Sequence, residues 1–205
     1  MSTQVTIIET GIANTASVAA AFRRCMLDVT LTADPDVIAA ADRVVLPGVG
    51  AFGAGMARLK EAGLVDVVRS RIEARRPTLA ICLGLQLLCR ASDEAPGIEG
   101  LGVVDGVIGV FPSDVRKPQF GWNRVEPANA DGMLQPGYAY FANSYRLASP
   151  PADWSVAWSD HGGRFVAAME SGPVLACQFH PELSGRWGLD LLKRWSVCSE
   201  ETVTC

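Results

Sequence analysis

No apolar run in this sequence approaches the roughly 18–20 residues that a membrane-spanning helix needs. The opening stretch Met1-Ser2-Thr3-Gln4 has no cationic region and leads straight into a strand-like segment, so no secretory signal is read there. Basic charge is not in excess: 18 Lys and Arg against 22 Asp and Glu leave a formal net charge of −4. Nucleic acid is therefore not expected as the main partner, because phosphate binding needs a clustered basic surface. Arg69, Arg71, Arg75 and Arg76 do cluster, but a solvated helix face before Pro77 accounts for them. No C-x-x-C pair occurs among the six cysteines, and only His161 and His180 could assist them, so no metal site is expected. Thiols scattered singly fit a reducing cytoplasm better than a disulfide framework. Cys25, Cys89 and Cys177 read as small buried hydrophobes.

The first half of the chain alternates strand and helix patterns. Strands are expected at residues 5–8, 29–31, 44–46 and 78–81, and helices at 14–27, 35–41, 54–61 and 64–75. Strands apolar on both faces, alternating with helices, indicate a parallel sheet covered on both sides. Beyond Gly100 short strand-like pieces at 103–110, 122–125, 138–141, 155–158 and 165–169 are separated by Gly, Pro and Asp, the pattern of antiparallel additions. Residues 174–179 return to the core sheet, and 184–195 form a closing amphipathic helix. The expectation is one α/β domain over 1–197, with a flexible tail at 198–205.

Two stretches carry chemistry. Thr78-Leu79-Ala80-Ile81-Cys82-Leu83-Gly84 is an apolar strand that stops at a cysteine and turns through a glycine into a helix. Such a turn exposes the side chain at the sheet edge where ligands bind and aims a helix N-terminus at it, which favours the reactive thiolate. Gln178-Phe179-His180-Pro181-Glu182 supplies an imidazole with a carboxylate two residues on. Pro181 restrains His180 to an extended backbone, in which residues i and i+2 share a side, so Glu182 is expected beside the ring. Cys82, His180 and Glu182 together read as nucleophile, base and orienting acid for acyl transfer through a thioester. Pro47-Gly48-Val49-Gly50 follows another core strand and should reach the same edge, where freed N–H groups could meet an oxyanion together with that of Leu83. The lysine and spacing of a phosphate-binding loop are missing there. His161, in a turn-like Ser-Asp-His-Gly-Gly setting, reads as a surface loop residue.

These stretches resemble the class I glutamine amidotransferases, which carry a Cys-His-Glu triad on a flavodoxin-like sheet, mostly parallel with helices on both faces. Within the class the likeness extends to the glutaminase subunits of imidazole glycerol phosphate synthases, through Gly11-Ile12-Ala13-Asn14, Leu46-Pro47-Gly48-Val49-Gly50-Ala51-Phe52, Gly121-Trp122-Asn123 and Ser144-Tyr145. The resemblance implies L-glutamine as substrate, attack by Cys82, proton transfer by His180 and orientation by Glu182. It implies Gly48, Val49, Gly50 and Leu83 at the oxyanion, and Gln86, Ser144 and Tyr145 around the glutamine. Asn14 and Trp122 would face the partner, a cyclase subunit built as a (β/α)₈ barrel that uses the ammonia in histidine biosynthesis. No cofactor is implied.

The chain departs from the pattern at Gln119 and Asn143, where the family often has His, at Leu183, where a basic residue is usual, and at Ala80 in place of a glycine. The triad is untouched. A glutaminase subunit feeding another synthase, for example in sugar amination, stays open. So do a non-catalytic regulatory subunit of the same fold and a cysteine hydrolase acting alone.

Overall fold

The computed structural model describes residues 3–11, 13–129 and 131–198. In chain order the first half runs β1 (Gln4–Ile8), α1 (Thr15–Arg24), β2 (Asp28–Thr32), α2 (Pro35–Ala40), β3 (Val44–Gly48), α3 (Phe52–Glu61), α4 (Val65–Glu73), β4 (Thr78–Cys82) and α5 (Leu83–Leu88). The second half adds β5 (Cys89–Ser92), β6 (Val104–Val110), β7 (Gln119–Pro127), β8 (Gly137–Asn143), β9 (Tyr145–Leu147), β10 (Ser155–Asp160), β11 (Arg164–Ser171) and β12 (Val174–Cys177). A single 3₁₀ turn at Pro181–Leu183 and helix α6 (Gly185–Val197) close the chain.

β3 and β4 are buried at every residue, as their unbroken apolar sequences require of strands covered on both faces. They lie inside a nine-stranded sheet of order β2-β1-β3-β4-β12-β11-β10-β7-β8. The five strands from β2 to β12 are parallel, and the four beyond β12 pair antiparallel. The parallel part has the flavodoxin-like order that the family resemblance implies. One apolar layer packs α1 and α6 on the sheet through Phe22, Leu191, Leu192 and Trp195. The other packs α3, α4 and α5 through Met56, Leu59, Val68, Leu85 and Leu88. Local chemistry sets the helix starts: Asp34 Oδ1 accepts from the N–H groups of Asp36 and Val37, with Pro35 in the first turn, and Asn14 Oδ1 accepts from Ser17 N–H.

Three features depart from the sequence reading. β5, β6 and β9 form a separate three-stranded sheet, because α5 ends after six residues and the chain re-enters an extended path at Cys89. Arg71 is not on a solvated face: it is 2% exposed, and its guanidinium donates to the carbonyls of Ile38, Ala39, Ala41, Asp42 and Pro77. It thereby satisfies carbonyls left free where α2 ends. Cys198, the first residue of the expected tail, is buried, and its carbonyl accepts from Arg43 Nη2. Residues 199–205 lie outside the described residues.

Candidate active site

β4 delivers Cys82 to the carboxyl edge of the parallel strands, the edge at which open α/β sheets bind ligands. The backbone of Cys82 takes φ 54° and ψ −107°, a region that residues with a Cβ rarely adopt. This strained pair of angles turns the strand at once into α5 and lifts the thiol out of the line of the strand. The turn needs room. A Cβ on Gly84 would collide with the Leu46 carbonyl oxygen, and one on Gly48 would reach Leu83 Cβ at 2.9 Å. Glycine at both positions lets β3 close on the elbow, with Gly48 in register with Cys82.

His180 follows β12, and its backbone is fixed on two sides. Its N–H donates to Tyr140 O at 2.9 Å, and its carbonyl accepts from Ser184 Oγ at 2.6 Å. Ser184 Oγ in turn accepts from Tyr140 N–H at 2.9 Å, so one buried hydroxyl ties the histidine to β8. The expected extended run over 180–182 is not present. Only His180 is extended (φ −100°, ψ 97°), and Pro181–Leu183 tighten into the 3₁₀ turn. The carboxylate folds back onto the ring from that turn, with His180 Nδ1 and Glu182 Oε1 2.8 Å apart. Nε2 is then the ring nitrogen left for Cys82.

Burial opposes charge on His180, yet hydrogen bonding to Cys82 and to Glu182, together with their negative charge, outweighs it and lifts the imidazole pKa to about 10. Two thiols away from this pair are held neutral by burial. Burial pushes Cys89 up to about 12 and Cys177 well above its ordinary value, which keeps them neutral and inert.

Two cavities meet at His180. One, of about 470 Å³, is lined by Cys82, Val49, Gly50, Leu83, Gln86, Glu94, Asn143, Ser144 and Tyr145. The other, of about 280 Å³, lies toward Asn14, Pro47, Gly48, Phe120, Glu182 and Leu183, and it shares Val49 and Ala142 with the first. Glu182 Oε2, buried without a hydrogen-bond partner, belongs to this second wall. A larger cavity, of about 980 Å³, lies at the opposite end of the strands around Glu170, Arg194 and Trp154, away from all of these residues.

The sequence pattern described as Glutamine amidotransferase class-I matches residues 6–195. The chain belongs to the class I glutamine amidotransferases. Among its relatives, the imidazole glycerol phosphate synthase subunit HisH of Symbiobacterium thermophilum is 40% identical over 201 residues, 95% of either chain. The subunit of the same name from Methanothermobacter thermautotrophicus is 42% identical over 194 residues, 93% of this chain and 96% of that one. A crystal structure of a glutamine amidotransferase shares the fold, with a TM-score of 0.75 at 19% identity, covering 94% of this chain and 99% of the other.

In this amidotransferase every residue expected at the oxyanion or around glutamine lies at the Cys82 edge. Gln86 is less free than expected: its Nε2 donates to Gln178 Oε1 at 3.0 Å and to Tyr145 O at 3.4 Å. Gln178 Nε2 in turn points at Cys82 Sγ, at 3.7 Å. Asn14 spends its side chain on the cap of α1, although it also lines the second cavity. Trp122 is 58% exposed and stacks edge-on against Tyr140, and Phe120, Tyr138 and Leu183 are exposed beside it. His161 is a loop residue whose Nε2 lies 2.8 Å from Arg116 O. Sequence reasoning missed Gln178, Ser184 and Glu94. Glu94 follows β5, and its Oε2 accepts from Phe52 N–H at 2.8 Å. The first two stand within or beside the His-Pro-Glu stretch, where proximity in sequence was the available signal; Glu94 offers none.

Proposed function

We propose that the chain hydrolyses L-glutamine through a thioester on Cys82 and hands the ammonia to a cyclase subunit of imidazole glycerol phosphate synthase. The observation that carries this is the strained Cys82 beside a buried His180–Glu182 pair in one cavity.

Cys82 Sγ attacks the carbonyl carbon of the glutamine side chain. The oxyanion that forms lies against the N–H groups of Val49 and Leu83. His180, held as imidazolium by Glu182, gives its Nε2 proton to the amide nitrogen, and ammonia leaves. Water then loses a proton to His180 and attacks the thioester, releasing glutamate and returning the Cys82 sulfur and the imidazolium to their starting state. Gln86, Ser144 and Tyr145 hold the amino-acid end, with the Glu94 carboxylate toward its ammonium.

The partner is a cyclase with a (β/α)₈ barrel, docked on the face that exposes Phe120, Trp122, Tyr138 and Leu183. An apolar patch of this kind beside a catalytic histidine is what a subunit interface supplies. No helix among the described residues is long and apolar enough to cross a membrane. A cytoplasmic setting agrees with the free, buried thiols. The domain is taken to cover 1–197.

The test is Cys82→Ala in the assembled synthase. Glutamine-dependent synthesis should vanish and ammonia-dependent synthesis should persist. Glutamine hydrolysis surviving the substitution would remove Cys82 as the nucleophile.

A further inference from the structure

Gln119 and Asn143 stand directly opposite one another on β7 and β8. Opposed residues of an antiparallel pair leave the sheet on the same face, with Cβ atoms about 5 Å apart. Here that is the inner face, where Gln119 is 5% and Asn143 4% exposed. Asn143 forms part of the wall of the Cys82 cavity. Gln119 forms part of the wall of a neighbouring cavity of about 420 Å³, bounded by Trp122, Asn123 and His161.

Chemistry fixes how the Asn143 amide is turned. Its Nδ2 donates to Tyr145 O at 2.9 Å, and only the NH₂ end can face a carbonyl. Oδ1 is therefore turned away from that bond, and there it finds no donor among the described residues. Gln119 Oε1 finds none either. Buried carbonyl oxygens without a donor are uncommon because each has given up water for nothing. Two of them on cross-strand neighbours, one in the wall of the nucleophile's cavity and the other in the wall of a second cavity, call for a ligand made of donors.

We propose that Asn143 Oδ1 and Gln119 Oε1 form a receiving site for the nitrogen that leaves glutamine. The proposal rests on the glutaminase reading above. The carboxamide nitrogen carries two N–H groups in the substrate. When the C–N bond of the tetrahedral adduct breaks, its electron pair goes to nitrogen, the His180 proton joins it, and the oxyanion re-forms the thioester carbonyl. The departing molecule is neutral ammonia with three N–H groups. Asn143 Oδ1 accepts from the carboxamide within the Cys82 cavity, and Gln119 Oε1 adds a second acceptor on the far side. The nitrogen is thus drawn from the thioester toward the cavity beside Trp122. The α-ammonium of glutamine is a weaker claimant, since the Glu94 carboxylate shares the cavity with it.

The experiment compares glutamine with glutamate γ-methyl ester, whose leaving group offers no N–H in the bound substrate. Both are assayed in the assembled synthase with wild-type chain and with Gln119→Leu, which replaces an amide whose oxygen has no partner by an apolar group of similar size. kcat/KM for glutamine should fall about tenfold, the loss of one transition-state hydrogen bond. The ester should fall by less than about twofold, and thermal stability should hold or rise, because an unsatisfied group has been removed. Gln119→Met asks the same question with an unbranched side chain if the leucine variant does not fold. An equal fall for both substrates, or no fall for glutamine, overturns the proposal. A wild-type chain that hydrolyses neither substrate would instead overturn the glutaminase reading.

Discussion

His180 Nδ1 and Glu182 Oε1 lie 2.8 Å apart, with their side chains 7% and 4% exposed. A carboxylate held this close in a dry site stabilises the imidazolium, and it is one of the causes that lift His180 to about 10. The histidine therefore stays protonated through neutral pH. Its folded pKa is raised, so its contribution to stability is complete below the ordinary value of 6.5 and is lost as pH climbs through about 10. Glu182→Gln removes a raising interaction and should move that loss to lower pH, together with the alkaline limb of glutaminase activity. Thermal unfolding and kcat/KM measured across the alkaline range would check both, and limbs that coincide with wild type would contradict the pairing.

Strain at Cys82 makes a second prediction, about stability alone. At an ordinary strand position glycine is worse than alanine, but φ 54° with ψ −107° penalises any residue with a Cβ. Cys82→Gly should therefore unfold with more difficulty than Cys82→Ala, by about 1 kcal/mol. Neither variant should hydrolyse glutamine. Denaturant titration of the two decides it: a more stable alanine variant would mean that the elbow is unstrained.

Ser184 joins His180 O to Tyr140 N–H through one hydroxyl and touches no part of the cavities described above. Ser184→Ala leaves the Tyr140 N–H short of its acceptor, at a cost of about 1–3 kcal/mol, while the His180 carbonyl keeps only the Leu183 N–H. Because the loss reaches substrate only through the position of the histidine, kcat should fall while KM for glutamine changes little. A KM effect larger than the kcat effect would place Ser184 in substrate binding instead.

The elbow, the buried parallel strands and the His-Pro-Glu stretch were legible because each is a local pattern: an unbroken apolar run, a glycine two residues after a cysteine, a proline between histidine and acid. What the sequence hid depends on partners far along the chain. Arg71 sits among three other arginines and looks solvated, yet the carbonyls it serves come mainly from residues 38–42, about thirty positions earlier. Ser184, placed just before α6, looks like a helix cap, but its hydroxyl turns back to His180. Gln86 reads as a substrate ligand, while its amide is engaged by Gln178 and Tyr145, whose approach only the closed sheet creates.

Arg71 yields the largest expected effect on stability. Burial lowers its pKa to about 10, which leaves it charged at neutral pH, and its planar fork reaches five carbonyls at once. Arg71→Ala takes its donors from the Ile38 and Asp42 carbonyls in a dry site, while Arg76 still reaches Ala39 and Ala41 and the Val44 N–H still reaches Pro77, and should cost about 3 kcal/mol. Lysine keeps the charge but not the fork, so Arg71→Lys should recover only part of the loss. Chemical denaturation measures this, and a lysine variant as stable as wild type would show that charge alone suffices.

Trp122 connects the exposed face to His180 in two steps. Its ring lies 6.3 Å from that of Tyr140, at 80°, and the Tyr140 carbonyl accepts the His180 N–H at 2.9 Å. A large half-exposed aromatic ring on an apolar patch is the kind of residue that dominates binding energy when a partner covers it. Trp122→Ala should weaken association with the cyclase subunit by about 2 kcal/mol, raising the partner concentration for half-maximal glutaminase stimulation roughly thirtyfold. The Tyr140 link adds a second consequence. Even at saturating partner, stimulation should stop short of the wild-type maximum, because the docked surface no longer presses on the strand that holds His180. Titrating the partner against glutaminase rate separates the two effects, and a curve superimposable on wild type would exclude Trp122 from the interface.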